Sequence, residues 1–338
     1  MKYYQFKGAI KLLQPFMINL PNSNQFPTDS HGNPIMPSNT LRGWLRFASY
    51  RSLLEVMNEH GIQFSIHEHY LLAKGIDTGN LVKTERATTM GANVNIRKFN
   101  PMMDLYGRWG LASVLGVGSA VASKSALVRK PSSSRGHIID SFDDFERFIV
   151  EEDRQLLLEI MNQDAETAPQ IQELKSQIKV IQQEKRNAPN LELKNELSQK
   201  IQSLQTKVDN IKDNKTGSKE SVRRTNFGIE VLDANAEAQH SMKLTGNHYG
   251  SFQFLVWTLS KLPLFRVGGG RAFNYGIVEP LWTITEHSFN HPEGFEVGEV
   301  GWVDGRFRFL LKGDLQFDLK DFENSLTNKE LFNFTLFG

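Results

Sequence analysis

Between about residues 151 and 213 the chain carries two runs of apolar residues at helical spacing, and this stretch constrains everything around it. Ile171, Leu174, Ile178 and Ile181 recur every three or four residues, NAPN at 187–190 breaks the run, and Leu197, Ile201, Leu204, Val208 and Ile211 resume it. Two such stripes separated by a proline predict an antiparallel coiled-coil hairpin, with polar faces rich in Lys, Glu and Gln. The hairpin is expected to project as an insertion, serving as a contact platform or a spacer. The flanking chain must then close into one discontinuous body, expected over 1–145 and 220–290, with 291–338 forming a C-terminal β-hairpin and an acidic tail.

The flanks mix both periodicities. Tyr4, Phe6, Gly8, Ile10 and Leu12 alternate with polar or small residues, the pattern of a half-buried strand. A loop rich in Pro, Asn and Ser follows. Then TLRGWLRFASYRSLLEVM places Leu41, Leu45, Ala48 and Ser52 on one face of a helix, with Ser38 or Asn39 expected as its cap. After the insertion, SVRRTNFGIEVLDANAEAQHSMKLTG reads as strand, and SFQFLVWTLSKL places Phe252, Leu255, Leu259 and Leu262 at helical spacing before Pro263. YGIVEPLWTIT reads as strand again, and a hairpin is expected around Val303 to Arg306. The order predicts an α+β fold, compatible with a ferredoxin-like sheet that has grown insertions.

With no cysteine among 338 residues, disulfides and thiolate chemistry are excluded. No apolar run approaches the roughly 20 residues of a bilayer span, so a soluble, cytoplasmic protein without a membrane partner is expected. The formal net charge of +1 conceals an asymmetry: residues 1–130 carry 15 Lys+Arg against 7 Asp+Glu, residues 221–278 carry 6 against 3, and residues 279–338 carry 5 against 11. The basic segments hold the glycine- and proline-bounded loops, as a polyanion-binding face requires.

One of these loops is VGGGRAFNYG, residues 267–276. A dinucleotide fingerprint or P-loop needs a strand before its glycines and a helix after them, whereas here the helix comes first and no GKS or GKT occurs. What remains is a turn in which Gly268, Gly269 and Gly270 bring main-chain N–H groups and Arg271 close to an anion, or a tight helix-to-strand turn that needs positive φ. In PSNTLRGWLR, Arg42 and Arg46 lie one turn apart near a helix start, where cations oppose the helix dipole. They reach for phosphate, or they lie over Trp44 or Tyr50. Arg97 and Lys98 before Phe99, Arg108 before Trp109, Arg129 and Lys130 before Pro131, and Arg223 and Arg224 before Thr225 interleave bases with rings or small residues. That arrangement suits a single strand, although each alone reads as surface charge.

Candidates for catalysis are sparse. His67 and His69 in SIHEHYLL would share one face of a strand, but no HExxH or carboxylate cluster accompanies them, so exposed polar residues are the better reading. Asp29 in FPTDSHGNP has no acid or base beside it and is expected to shape a turn. No catalytic residue, metal site or cofactor is assigned.

NPIMPSNTLRGWLR resembles the proline-bounded loop and basic helix near the start of CRISPR-associated RAMP proteins. VGGGRAFNYGIVEPLW resembles their C-terminal glycine-rich loop, and FNPMMDLYGRWG is similar to their Asp-Pro…Leu-Phe-Gly element, with Asn100 and Tyr106 as variants. The resemblance covers roughly residues 1–130 and 220–285. It implies an RNA-recognition-type core with a protruding thumb, and a backbone subunit that polymerises as copies of itself along guide RNA (crRNA) beside other CRISPR effector subunits. The guide would pair with target DNA or RNA. By motif position, Ser38, Asn39, Arg42 and Arg46, with the turn from Gly268 to Arg271, would hold the guide's sugar-phosphate chain. Where type III backbone subunits carry a target-cutting aspartate in the loop after the first strand, this chain has Asn22, Ser23 and Asn24. The expectation is therefore a non-catalytic subunit most like type IV. The alternatives are a metal-dependent ribonuclease of type III character, using Asp29 or His67 and His69, and a protein scaffold working through the hairpin.

Overall fold

The computed structural model describes residues 2–18, 26–82, 90–130, 134–135, 154–187, 190–214, 224–225, 229–246, 248–270 and 274–337. The chain divides into two compact units, one of residues 1–130 with 229–338 and one of residues 131–228.

The larger unit is an α+β structure around an antiparallel sheet. Its strands are β1 (Lys2–Leu12), β2 (Ile35–Met36), β3 (Leu115–Val117), β4 (Ala120–Ala122), β9 (Glu237–Thr245), β10 (Val278–Ser288), β11 (Phe295–Val303) and β12 (Arg306–Leu311). They run in the order β12-β11-β10-β1-β9-β4-β2, with β3 also on β9. β1 is central, pairing Lys2–Leu12 with Ser288–Val278 on one side and Tyr3–Lys11 with Thr245–Glu237 on the other. A smaller ladder joins β5 (Leu127–Lys130) to β8 (Ile229–Leu232).

Helix α1 (Ser38–Glu59) follows β1, and the chain returns to the sheet at β3 and β4. Helix α7 (Tyr249–Lys261) follows β9 and returns at β10. The inward residues of the strands, among them Phe6, Ile10, Met242, Leu244, Trp282 and Ile284, share one core with Leu41, Leu45 and Ala48 of α1 and Phe252, Leu255 and Leu259 of α7. On β9 the burial alternates strictly, with Ala238, His240, Met242 and Leu244 inward and Glu237, Gln239, Ser241 and Lys243 exposed.

Gly8 occupies the centre of this arrangement, in register with both Trp282 and His240. Because it has no side chain, Trp282 Nε1 donates across β1 to His240 Nδ1 at 3.1 Å, and His240 Nε2 donates to the Gly118 carbonyl at 3.2 Å. A Cβ on Gly8 would stand 1.9 Å from the Leu281 carbonyl oxygen.

Residues 291–338 are not a separate appendage. The hairpin expected around Val303 to Arg306 is present, but β11 and β12 extend the main sheet. The tail after α8 (Leu319–Ser325) buries Phe332, Phe334 and Phe337 in the common core. The acidic count of residues 279–338 misleads, because the three phenylalanines come after the last charge, Glu330, and are buried. Asn333 N–H donates to the Phe99 carbonyl at 2.7 Å, and Asn100 Nδ2 donates to the carbonyls of Leu336 and Phe334 at 3.0 and 3.3 Å.

The second unit contains α5 (Arg154–Asn187), α6 (Leu191–Asp213) and a short ladder between β6 (Ser134–Arg135) and β7 (Arg224–Thr225). The two helices pack on each other. Among their described residues, Ile178, Leu197 and Val208 are buried, and Ile171, Leu174, Ile181, Ile201, Leu204 and Ile211 are half-buried, all on the stripes read from the sequence. Among the described residues, no helix is long and apolar enough to cross a membrane.

Candidate nucleic-acid interface

Helix α1 begins without a side-chain cap. Pro37 occupies the cap position, the Asn39 side chain accepts only from the neighbouring Thr40 N–H, and no acid lies in the first turn. The expected capping role of Ser38 or Asn39 is thus not fulfilled. Pro37 can start the helix because its extended backbone still presents a carbonyl, which accepts from Leu41 N–H at 3.1 Å. Ser38 N–H instead donates to Ser119 Oγ at 3.1 Å, and Asn39 is exposed.

Of the three arginines of α1, Arg42 and Arg46 face inward, while Arg51 is exposed and pairs with Glu55. Arg42 Nη1 donates to Ser113 Oγ at 3.1 Å, and its Nη2 makes a short hydrogen bond to the Tyr106 carbonyl at the end of α4 (Pro101–Tyr106). Arg46 Nε and Nη2 donate to the carbonyls of Leu72 and Leu71, at 2.9 and 2.8 Å, in the last turn of α2 (Ile66–Lys74). Helix C-termini leave carbonyls unpaired and partly negative, so a guanidinium is a favourable partner there. Burial lowers the Arg46 pKa to about 10, and its guanidinium lies 5.9 Å from the Tyr106 ring centre. Neither arginine lies over Trp44 or Tyr50; both tie α1 to shorter helices.

Arg97, in the last turn of α3 (Met90–Phe99), is likewise engaged. Its Nη1 meets Asp104 Oδ1 at 2.7 Å and its Nη2 donates to the Ala112 carbonyl at 2.9 Å, while Asp104 Oδ2 accepts from Ser251 Oγ at 2.8 Å. The Asp104 side chain is only 1% exposed, so every lone pair used is a buried one. Arg108 spans Trp109 and Phe337, donating Nη1 to the first carbonyl at 2.7 Å and Nε to the second at 2.8 Å. Lys98 is exposed, 4.8 Å over the Phe99 ring, and lines a cavity of about 420 Å³ together with Gln253, Asp318 and Asp321.

The glycine loop packs against the segment that leaves β1. Gly269 N–H donates to the Met17 carbonyl at 2.8 Å, Gly276 N–H to the Pro15 carbonyl at 2.9 Å, and Val267 N–H to the Gly276 carbonyl at 3.0 Å. Gly268 and Gly270 have φ of +80° and +74°, and a Cβ on Gly268 would stand 2.5 Å from both the Met17 carbonyl oxygen and the Phe16 ring. The tight-turn requirement is therefore real, and one of the three N–H groups is already used. α1 reaches the same place: Trp44 Nε1 donates to the Phe265 carbonyl at 2.8 Å, and Phe47 packs edge-on to the Phe265 ring with centroids 5.8 Å apart. α1 is thus held against Phe265, two residues before a loop that lies more than two hundred residues further along the chain, and the loop itself is held by Met17.

No protein-family model and no curated protein sequence matches the chain.

Arg271, Arg223, Asn22, Ser23 and Asn24 lie outside the described residues, and Arg224 is described only through its backbone pairing with Arg135. Asp29 shapes its own turn: it accepts from the N–H groups of Asn33 and His31, both at 2.8 Å, and from Asn33 Nδ2 at 3.1 Å. The Asn33 backbone bond, ahead of the others, lowers its pKa. His67 and His69 belong to α2, not to a strand, because Ser65 and Glu68 form a capping box that starts the helix at Ile66. His67 Nδ1 pairs with Thr78 Oγ1 and His69 Nδ1 with the Tyr50 hydroxyl, at 2.9 and 2.7 Å. Among the described residues, no three His, Asp or Glu side chains cluster as metal ligands would.

Sequence reading missed the contacts of Trp44 and Phe47 with Phe265 and of the glycine loop with Met17. A signal existed for Phe47, because Asn39, Gly43 and Phe47 recur at intervals of four on the face opposite the apolar stripe, where a large ring has no core to fill.

Proposed function

We propose that this chain is a non-catalytic backbone subunit of a CRISPR ribonucleoprotein effector. In the cytoplasm it polymerises along guide RNA and presents the guide to target DNA or RNA beside other effector subunits. The observation that carries this reading is that the Trp44 bond to the Phe265 carbonyl seats the PSNTLRGWLR helix against the segment that enters the VGGGRAFNYG loop, while the loop itself is fastened to the Met17 carbonyl after β1. A backbone-gripping site assembled from two distant motifs needs that convergence. The sheet supports it too. The order β10-β1-β9-β4, with α1 after β1 and α7 after β9, is compatible with a ferredoxin-like core, and the α5/α6 stripes with a coiled-coil hairpin.

Within this reading the contact residues narrow. Arg42, Arg46 and Arg97 build the frame, and the guide is held by Ser38, Asn39, the glycine turn and Arg271, with Arg223, Arg224 and Lys98 as further cations. Asn22, Ser23 and Asn24 in place of a carboxylate, and an Asp29 occupied with its own turn, favour a type IV-like subunit that does not cut its target.

Purification of the full chain from its host and sequencing of any copurified RNA tests this. Repeat-derived ends are expected, and Arg271→Glu is expected to release the RNA. Arg42→Glu and Arg46→Glu are unsuitable probes because they disrupt helix ends. A protein free of nucleic acid, or Mg²⁺-dependent cleavage of complementary RNA abolished by Asp29→Ala, would overturn the proposal.

A further inference from the structure

The exposed face of α1 contains a large aromatic ring that the core does not need. Phe47 is 41% exposed although it belongs to a helix whose opposite face is fully buried. One of its edges is fixed by the perpendicular Phe265 ring. One turn toward the helix start lies Gly43, where an added Cβ would meet nothing within 4 Å, and a further turn on lies exposed Asn39. Asn39, Gly43 and Phe47 therefore form a track about 12 Å long. It has an amide at one end, open space in the middle and a ring held on edge at the other. The track borders the segment that leads into the glycine loop.

We propose that Phe47 is a stacking platform for one base of a bound single-stranded RNA, with Gly43 leaving room for the neighbouring sugar. This assignment rests on the RNA-binding reading given above and adds to it a sequence-independent base contact. Stacking fits this ring because every base offers a π-face, whereas a hydrogen-bonding reader would restrict the guide sequences the protein could carry. The occupant is a nucleic acid and not a second copy of the chain for two reasons. The track is polar and small apart from the ring. It also lies in the segment where cations outnumber acids 15 to 7, with no acid in the first turn of α1.

The test is fluorescence anisotropy of the full chain with a labelled 30-nucleotide single-stranded RNA, repeated over a salt series, for the wild type and for Phe47→Ala, Phe47→Leu and Phe47→Tyr. Phe47→Ala and Phe47→Leu are expected to bind roughly 5- to 100-fold more weakly, and Phe47→Tyr like the wild type. The slope of log affinity against log salt is expected to stay unchanged, because no phosphate contact is lost. Phe47→Leu keeps an apolar contact to Phe265, so wild-type affinity in that variant would reduce the ring to packing and overturn the inference. Undiminished binding by both Phe47→Ala and Phe47→Leu would overturn it while leaving the RNA-binding reading intact. A shift in sedimentation without a change in RNA affinity would reassign the ring to contacts between copies. A wild-type chain that binds no RNA would overturn both.

Discussion

The corner of the larger unit around residues 97–108 and the helical pair of residues 154–213 solve the problem of holding helices together in opposite ways. In the corner, α3, α4 and the C-terminal tail are joined by buried polar groups: Arg97 to Asp104, Asp104 to Ser251, Asn100 to the Phe334 and Leu336 carbonyls, and Arg108 to Phe337. In the pair, an apolar stripe with Ile178, Leu197 and Val208 at its centre does the joining, and the described charges are mostly exposed. A buried polar network tolerates no missing member, because each group removed leaves its partner desolvated. An apolar stripe degrades gradually. Charged residues therefore mean different things in different places, and the corner uses its cations for architecture.

The sharpest way to break the contrast is Asp104→Ala, which leaves Arg97 partly buried without its counter-charge and Ser251 without its acceptor. A loss of about 3–5 kcal/mol is expected, read as a lowered denaturant midpoint of the larger unit. Next comes His240, buried neutral between Trp282 and Gly118 with its pKa lowered by burial to about 4. The unfolded chain takes up this proton near pH 6.5 and the folded chain only near 4. The contribution is thus complete above pH 6.5, declines as pH falls through that window, and is lost by about pH 4. It amounts to on the order of 3 kcal/mol. In His240→Gln the slope of stability against pH between 6.5 and 4 is expected to be shallower by one proton.

Asn100→Asp is a subtler cut. The carboxylate can still accept from Met103 N–H, as Asn100 Oδ1 does at 3.2 Å, but it cannot donate to the two tail carbonyls. A loss of about 1–3 kcal/mol is expected, with earlier proteolytic cleavage near residues 333–337. In the helical pair, Val208→Ala removes two methyl groups from a fully buried site, and about 1–2 kcal/mol is expected. Its effect should fall on the pair's own unfolding, measured by helical circular dichroism. An equal effect from Val208→Ala and Asp104→Ala would erase the distinction between the two regions.

Periodicity made the elements legible wherever one face is apolar and the element is long. β1, α1, α7 and both stripes of the pair follow the spacing of Phe6 and Ile10, Leu41 and Leu45, Phe252 and Leu255, and Ile178 and Val208. The short helices were not legible, since α4 is six residues long and α2 nine. That omission propagated into the site. The acceptors of Arg42 and Arg46 are the end carbonyls of those same short helices, so the i,i+4 spacing of the arginines was visible while its purpose was not. The glycine loop was legible as a turn from its composition, but its partner, the Met17 carbonyl, is a backbone atom and leaves no signature in the residue alphabet.

The central position of β1 has a consequence for synthesis. Both strands that pair with it, β9 and β10, are encoded on the far side of the helical pair. At a ribosomal rate of about 5–20 residues per second, β1 waits roughly 10–50 s for either neighbour. During that interval Tyr4, Phe6, Ile10 and Leu12 form an unpaired apolar strand on the nascent chain, so the burden on chaperones falls early, on the first strand made.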